Sequence, residues 1–306
     1  MLLRSSTCAV AVAFATLISG AVLAADDAKP QGVKYPSWKG AWARWVPKSA
    51  GRDPGNGGTG FTAGGQPSFD QTKPWGLGQQ APLTPEYQKV LEESLKDQST
   101  GGEGNFFDHA RCLPGGMPLM TIAFTPLEFV VAPKTTYVLI GGSEHFRRIF
   151  TDGRDWPKDL EPTYAGYSIG HWVDEDGDGV YDVLNVETRG PFKGPRAYDA
   201  TGLPLHFDNE SVFYERIYRD KADPKILHDE ITVVDHALTR PWTVDKKYVL
   251  EPNPRYNFVE AYCTENPTMI AIGKETYWLS GDGGLLMPVR KDQPPPNLRH
   301  FKKSAQ

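Results

Sequence analysis

His171 and Glu187 are the residues best suited to proton-transfer chemistry. An imidazole beside a carboxylate is the simplest acid–base pair a cofactor-free hydrolase or lyase can use. They lie in YSIGHWV (167–173) and YDVLNVET (181–188), two segments expected to be adjacent strands of one hairpin. Arg148, Glu215, His228 and Tyr167 alternate with apolar residues along strand-like segments and are candidates for ligand contact. Arg147, Glu230 and His236 share that setting. About half of such side chains point inward in a closed barrel. If His171, Glu187, Arg148 and Glu215 share the interior, they form a polar cluster that must satisfy its own charges or hold a ligand. The other possibility is a solvent face carrying cross-strand ion pairs.

The turn between those two segments, DEDGDGVYD (174–182), suggests metal chemistry. Asp174, Asp176 and Asp178 occupy positions one, three and five of a calcium loop. Gly179 stands at six and Asp182 at nine. Position twelve is Asn185 rather than a bidentate Glu, so the segment is no EF-hand. The expectation is a structural calcium ion held by Asp174, Asp176, Asp178 and Asp182, the alternative a solvated acidic turn. No organic cofactor is expected. The sequence has no Gly-x-Ser-x-Gly elbow, His-Glu-x-x-His helix, phosphate-binding Gly loop or dinucleotide fingerprint.

The elements that must position these groups are mostly strands. Eight short segments rich in Val, Ile, Phe and Tyr are expected as strands: 127–131, 137–141, 146–151, 167–173, 181–188, 211–219, 226–235 and 246–250. No helical pattern lies between them, which disfavours a parallel α/β sheet. WKGAWARW (38–45) is a candidate first strand. TPEYQKVLEESLKDQ predicts a helix near 85–97, with Thr84 as N-cap, Pro85 at the first position and Tyr87, Val90, Leu91 and Leu95 on one face. The fold class expected is all-β: an antiparallel meander closing into a barrel, or alternatively a β-sandwich.

The chain divides into a signal peptide (1–24), an irregular N-terminal region with one strand and the helix (25–110), an antiparallel β domain (111–276) and an irregular tail (277–306). The leader MLLRSST, the apolar run that follows it and Val22-Leu23-Ala24 predict cleavage after about Ala24 and a periplasmic or secreted protein without a membrane span. In an oxidising compartment Cys112 and Cys263 are expected to form a disulfide rather than remain two thiols, worth about 4–5 kcal/mol in the chain-entropy model. A net charge of -5 argues against nucleic acid or an anionic membrane as partner. With 11% aromatic residues and no catalytic signature, the leading function is a barrel that holds a small apolar or aromatic molecule.

PLTPEYQ (82–88), RCLPGGMP (111–118), FRRIFTDGR (146–154), PTYAGYSIGHW (162–172), YERIYR (214–219), RPWTV (240–244) and AYCTEN (261–266) together resemble a large family of exported bacterial proteins with no assigned activity. The resemblance runs from about Pro74 to Thr276 and implies an exported β-rich fold and paired Cys112 and Cys263. That family usually carries His before Ser-Ile-Gly and Arg after it, where Tyr167 and His171 stand here. Gly40-Ala41-Trp42 and Thr151-Asp152 are similar to short lipocalin motifs, which favours a lipocalin-like barrel by analogy.

Overall fold

The computed structural model describes residues 34–46, 61–70, 72–73, 76–100, 104, 114–123, 125–141, 146–193, 197–206, 208–257, 269–272, 274–279, 286–297 and 299. Cys112, Cys263 and the leader lie outside them. The elements in chain order are β1 (Ala41–Arg44), β2 (Thr62–Ala63), β3 (Gln66–Pro67), α1 (Pro85–Ser99), β4 (Leu127–Ala132), β5 (Thr135–Ile140), β6 (Phe146–Phe150), β7 (Tyr167–Val173) and β8 (Val183–Arg189). They continue with β9 (Ala197–Tyr198), β10 (Pro204–His206), β11 (Val212–Arg219), β12 (Ile226–Val234), β13 (Trp242–Leu250), β14 (Met269–Ile272), β15 (Glu275–Leu279) and β16 (Leu286–Pro288).

Nine strands close a barrel in the order β1-β4-β5-β6-β7-β8-β11-β12-β13, and β13 pairs back onto β1. The all-β barrel is therefore the fold, and the sandwich is not. Strand direction cannot alternate around a ring with an odd number of members, so one neighbouring pair must run parallel. That pair is β6 and β7, with Ile149 opposite Ser168 and Phe150 opposite Ile169. The meander is antiparallel everywhere else in the ring. A parallel join requires a long crossover, supplied by residues 151–166. Gly166 ends the crossover at φ 68°, where a Cβ would lie 2.7 Å from the Arg189 carbonyl oxygen.

Two further differences from the expected division have simple causes. The barrel recruits β1 from the N-terminal region because Trp42 is fully buried and completes the ring between β4 and β13. Residues 269–288 contribute a separate three-stranded sheet, β14-β15-β16, that reaches into the expected irregular tail.

The interior is filled in layers, as β11, β12 and β13 show. Phe213, Ile231, Val233, Trp242 and Val244 belong to an apolar cluster at one end. Ile217, Leu227 and Tyr248 belong to a second cluster at the other. Between them along the same strands come Glu215, Asp229 and Lys246, all buried. The first cluster is completed by Leu91 of α1, with Tyr87 and Leu95 packed against it, and by Met117, Ile122, Ala200, Leu203 and Leu205. The helix is set by its ends as the sequence predicts: the Thr84 hydroxyl accepts from the Tyr87 N–H at 3.4 Å and Pro85 opens the first turn. No helix among the described residues is long and apolar enough to cross a membrane.

Candidate functional site

Cross-strand register determines which side chains meet on the outer face. Ile169 of β7, Glu187 of β8, Tyr214 of β11, Thr232 of β12 and Thr243 of β13 are directly opposite one another in succession. His171, Asn185, Arg216 and Glu230 form the next row on the same face. The two rows floor an open groove of about 470 Å³, with Trp156 from the crossover at its wall. That volume lies within the range of small-molecule sites.

His171 and Glu187 therefore share a groove, but it lies outside the barrel. Both point away from the interior because Ser168, Gly170 and Trp172, and Leu184, Val186 and Thr188, take the inward positions of β7 and β8. Ser168 and Thr188 touch there, and Leu184 and Val186 belong to the internal cluster. The two are diagonal neighbours rather than a facing pair, and the Glu187 carboxylate is held by Arg189. Arg189 also covers the Trp156 ring at 4.5 Å. An enclosed acid–base dyad of His171 and Glu187 is thereby corrected.

Arg148 is a second correction, since it is exposed on the outer face and approaches Phe150 at 5.6 Å. Arg147 is the inward arginine. Tyr167 lies beside the groove wall: its hydroxyl accepts from Arg154 Nη1 at 3.1 Å and its ring stands 5.9 Å from Trp156. Arg154 also pairs with Asp152 across Gly153. His228 is buried, yet it lies on the outward side of β12 and contacts Asp245 at 3.0 Å and Asp220 at 3.3 Å. It stacks on Tyr218 with ring centroids 4.8 Å apart. The Asp245 carboxylate raises its pKa despite burial.

Of the expected interior set, Glu215 alone is inside. It receives Arg147 Nη1 at 2.7 Å and Nη2, forming a two-pronged pair. Arg147 also donates from Nε to Ser168 at 3.1 Å and from Nη2 to Thr188 at 2.7 Å. Lys246 donates to the Thr121 hydroxyl at 2.6 Å, and the Tyr248 hydroxyl donates to the Thr121 carbonyl at 2.6 Å. Burial drives the Asp229 carboxyl up, reinforced by Glu215, and drives the Lys246 ammonium down. Burial also pushes Asp199 up to about 6. Asp229, Asp199 and Glu215 act back on Lys246 to favour its charged form, and Asp229 Oδ1 has no hydrogen-bond partner among the described residues. This polar belt lies between the two apolar clusters.

Three groove groups have no hydrogen-bond partner among the described residues: the His171 ring, the Asn185 amide and the Tyr214 hydroxyl. Tyr214 is 44% exposed. Arg216 is engaged with Glu175 at 2.8 Å, and Glu230 accepts from Tyr218 at 2.8 Å.

The hairpin loop between β7 and β8 brings Asp174, Asp176 and Asp182 together, with one carboxylate oxygen of each within 4.8 Å of the others. Asp178 is not part of that group and accepts instead from the Val180 N–H at 2.8 Å. Asp174 accepts from Gly177 and Gly179, Asp182 from Glu175, and Asp176 pairs with Lys221 at 3.0 Å.

No family model, no curated protein and no solved structure matches this chain.

Proposed function

We propose that this protein is an exported small-molecule-binding β-barrel whose ligand lies in the outer groove rather than in the lumen. The observation that carries this reading is the convergence of three uncommitted hydrogen-bonding side chains, His171, Asn185 and Tyr214, beside the Trp156 ring. Groups of this kind can exchange water for ligand without breaking an internal bond. The fitting ligand is flat and largely apolar or aromatic, with polar atoms along one edge. Its face would stack on Trp156 and Tyr214, and its edge would meet His171 and Asn185. The layered interior argues against the lumen, since apolar clusters fill it at both ends and Arg147 pairs with Glu215 between them. The acid–base reading has less support, because Arg189 holds the Glu187 carboxylate. The apolar leader and the motif resemblance support export, and with it a Cys112–Cys263 disulfide.

Tryptophan fluorescence titration with a panel of aromatic acids and amides tests the groove. Saturable quenching that disappears in Trp156→Phe is expected, and quenching unchanged in that variant contradicts it. The hairpin loop is proposed to take a structural calcium ion through Asp174, Asp176 and Asp182, supported by their converging oxygens. Calcium should raise Tm, and an unchanged Tm in millimolar calcium contradicts the proposal.

A further inference from the structure

We propose that His206, Asp208 and His236 form a binding site for a divalent transition metal of the zinc class, independent of the outer groove. His206 ends β10, Asp208 follows it by two residues, and His236 lies just beyond β12. Three separated positions thus supply two imidazoles and one carboxylate, and a donor atom of each lies within 4.8 Å of the others. His206 Nδ1 is 3.1 Å from Asp208 Oδ1, and His236 Nε2 is 2.9 Å from Asp208 Oδ2. Donors about 2.0–2.1 Å from a tetrahedral zinc ion are separated by about 3.3 Å, so the two histidine–carboxylate separations are near what the ion requires.

The surroundings orient the ligands. Asp235, whose side chain is fully buried, faces His206 Nε2 at 2.9 and 3.0 Å. Asp235 is itself held by the Ser211 hydroxyl and by the Ala237 N–H at 2.7 Å. A carboxylate on the far nitrogen fixes the proton there and leaves the lone pair on Nδ1. The Asp208 N–H points to that lone pair at 3.3 Å and would yield to an ion. This carboxylate–histidine arrangement is the usual outer support of a metal-bound imidazole.

The two histidine rings stack 14° from parallel with centroids 4.3 Å apart, so the exposed His236 ring must turn for both in-plane lone pairs to meet one ion; Tyr87 packs edge-on against both, at 5.7 and 5.6 Å. Asp208 is half-buried and His236 exposed, which leaves the outer side open to water as a fourth ligand. Glu210 Oε2, 3.8 Å from His236 Nε2, is a second candidate for that position. Two nitrogens and one carboxylate suit zinc, or cobalt as its spectroscopic substitute, over the harder calcium and magnesium ions.

The test is calorimetric titration of the chelator-stripped full chain with zinc chloride, beside His236→Gln and Asp235→Asn. His236 is exposed, so its variant should keep the fold, checked by circular dichroism. The expected result is one zinc per wild-type chain, with binding lost in His236→Gln and weakened about 10–100-fold in Asp235→Asn. Absence of zinc binding by the wild type, or equal binding by His236→Gln, would overturn the proposal.

Discussion

Arg147 of β6 and Glu215 of β11 form a buried two-pronged ion pair that spans β7 and β8, with Ser168 and Thr188 of those two strands completing the guanidinium's contacts. Four strands of the ring are thus tied through one side chain. Removing one partner leaves a buried charge unpaired, which costs about 3–5 kcal/mol, whereas replacing both with apolar residues can be nearly neutral. Arg147→Met and Glu215→Leu should each lower urea-unfolding stability by about that amount. The double variant should lose clearly less than the sum. Additive losses would show that the pair does not act as a unit.

Lys246→Met should make stability more sensitive to alkaline pH. The folded-state pKa of Asp229 is raised, so its contribution is full below the unfolded value near 4 and is lost as pH rises through the folded value. Removing the ammonium raises that carboxyl further. It also removes a buried lysine whose lowered pKa penalises the folded state as pH falls. Both effects widen the deficit of the variant with rising pH. Because both folded values lie at about 8 and the free lysine value at 10.5, unfolding curves from about pH 7 to 10.5 check this, and a constant deficit above pH 8 would contradict it.

His228 predicts the opposite comparison. Its folded pKa lies above 6.5 because of Asp245, so the imidazolium stabilises the fold below pH 6.5 and this contribution is lost as pH rises through the folded value. The stability difference between wild type and His228→Gln should therefore be largest in mild acid and shrink above neutrality. A difference that grows with pH would mean that the Asp245 contact is not an ion pair.

Strand positions were legible because each segment is short, apolar and bounded by turn residues. The 167–173 segment matches β7, and the helix expected near 85–97 is observed as Pro85–Ser99. Facing was harder to read. In FRRIF apolar residues flank two adjacent arginines, so either could point inward, and the choice falls to Arg147 through partners on three other strands. In YSIGHWV the inward positions are Ser168, Gly170 and Trp172, while the outward ones include Ile169 and Val173. Apolarity alone therefore assigns His171 to neither face. Lys246 and Asp229 gave no local signal, since a buried lysine is recognised only once its neighbours are known. The parallel β6–β7 pair follows from the strand count of the closed ring, a global property that no segment carries.

The groove makes the central claim testable by native mass spectrometry of protein purified from its native host, comparing wild type with His171→Ala/Tyr214→Ala. Both residues are surface-facing, so the variant should fold and melt like the wild type. A discrete small-molecule adduct on the wild type, absent from the variant, is the predicted result. An adduct retained equally by both, or found on neither, would contradict a ligand site on the outer face.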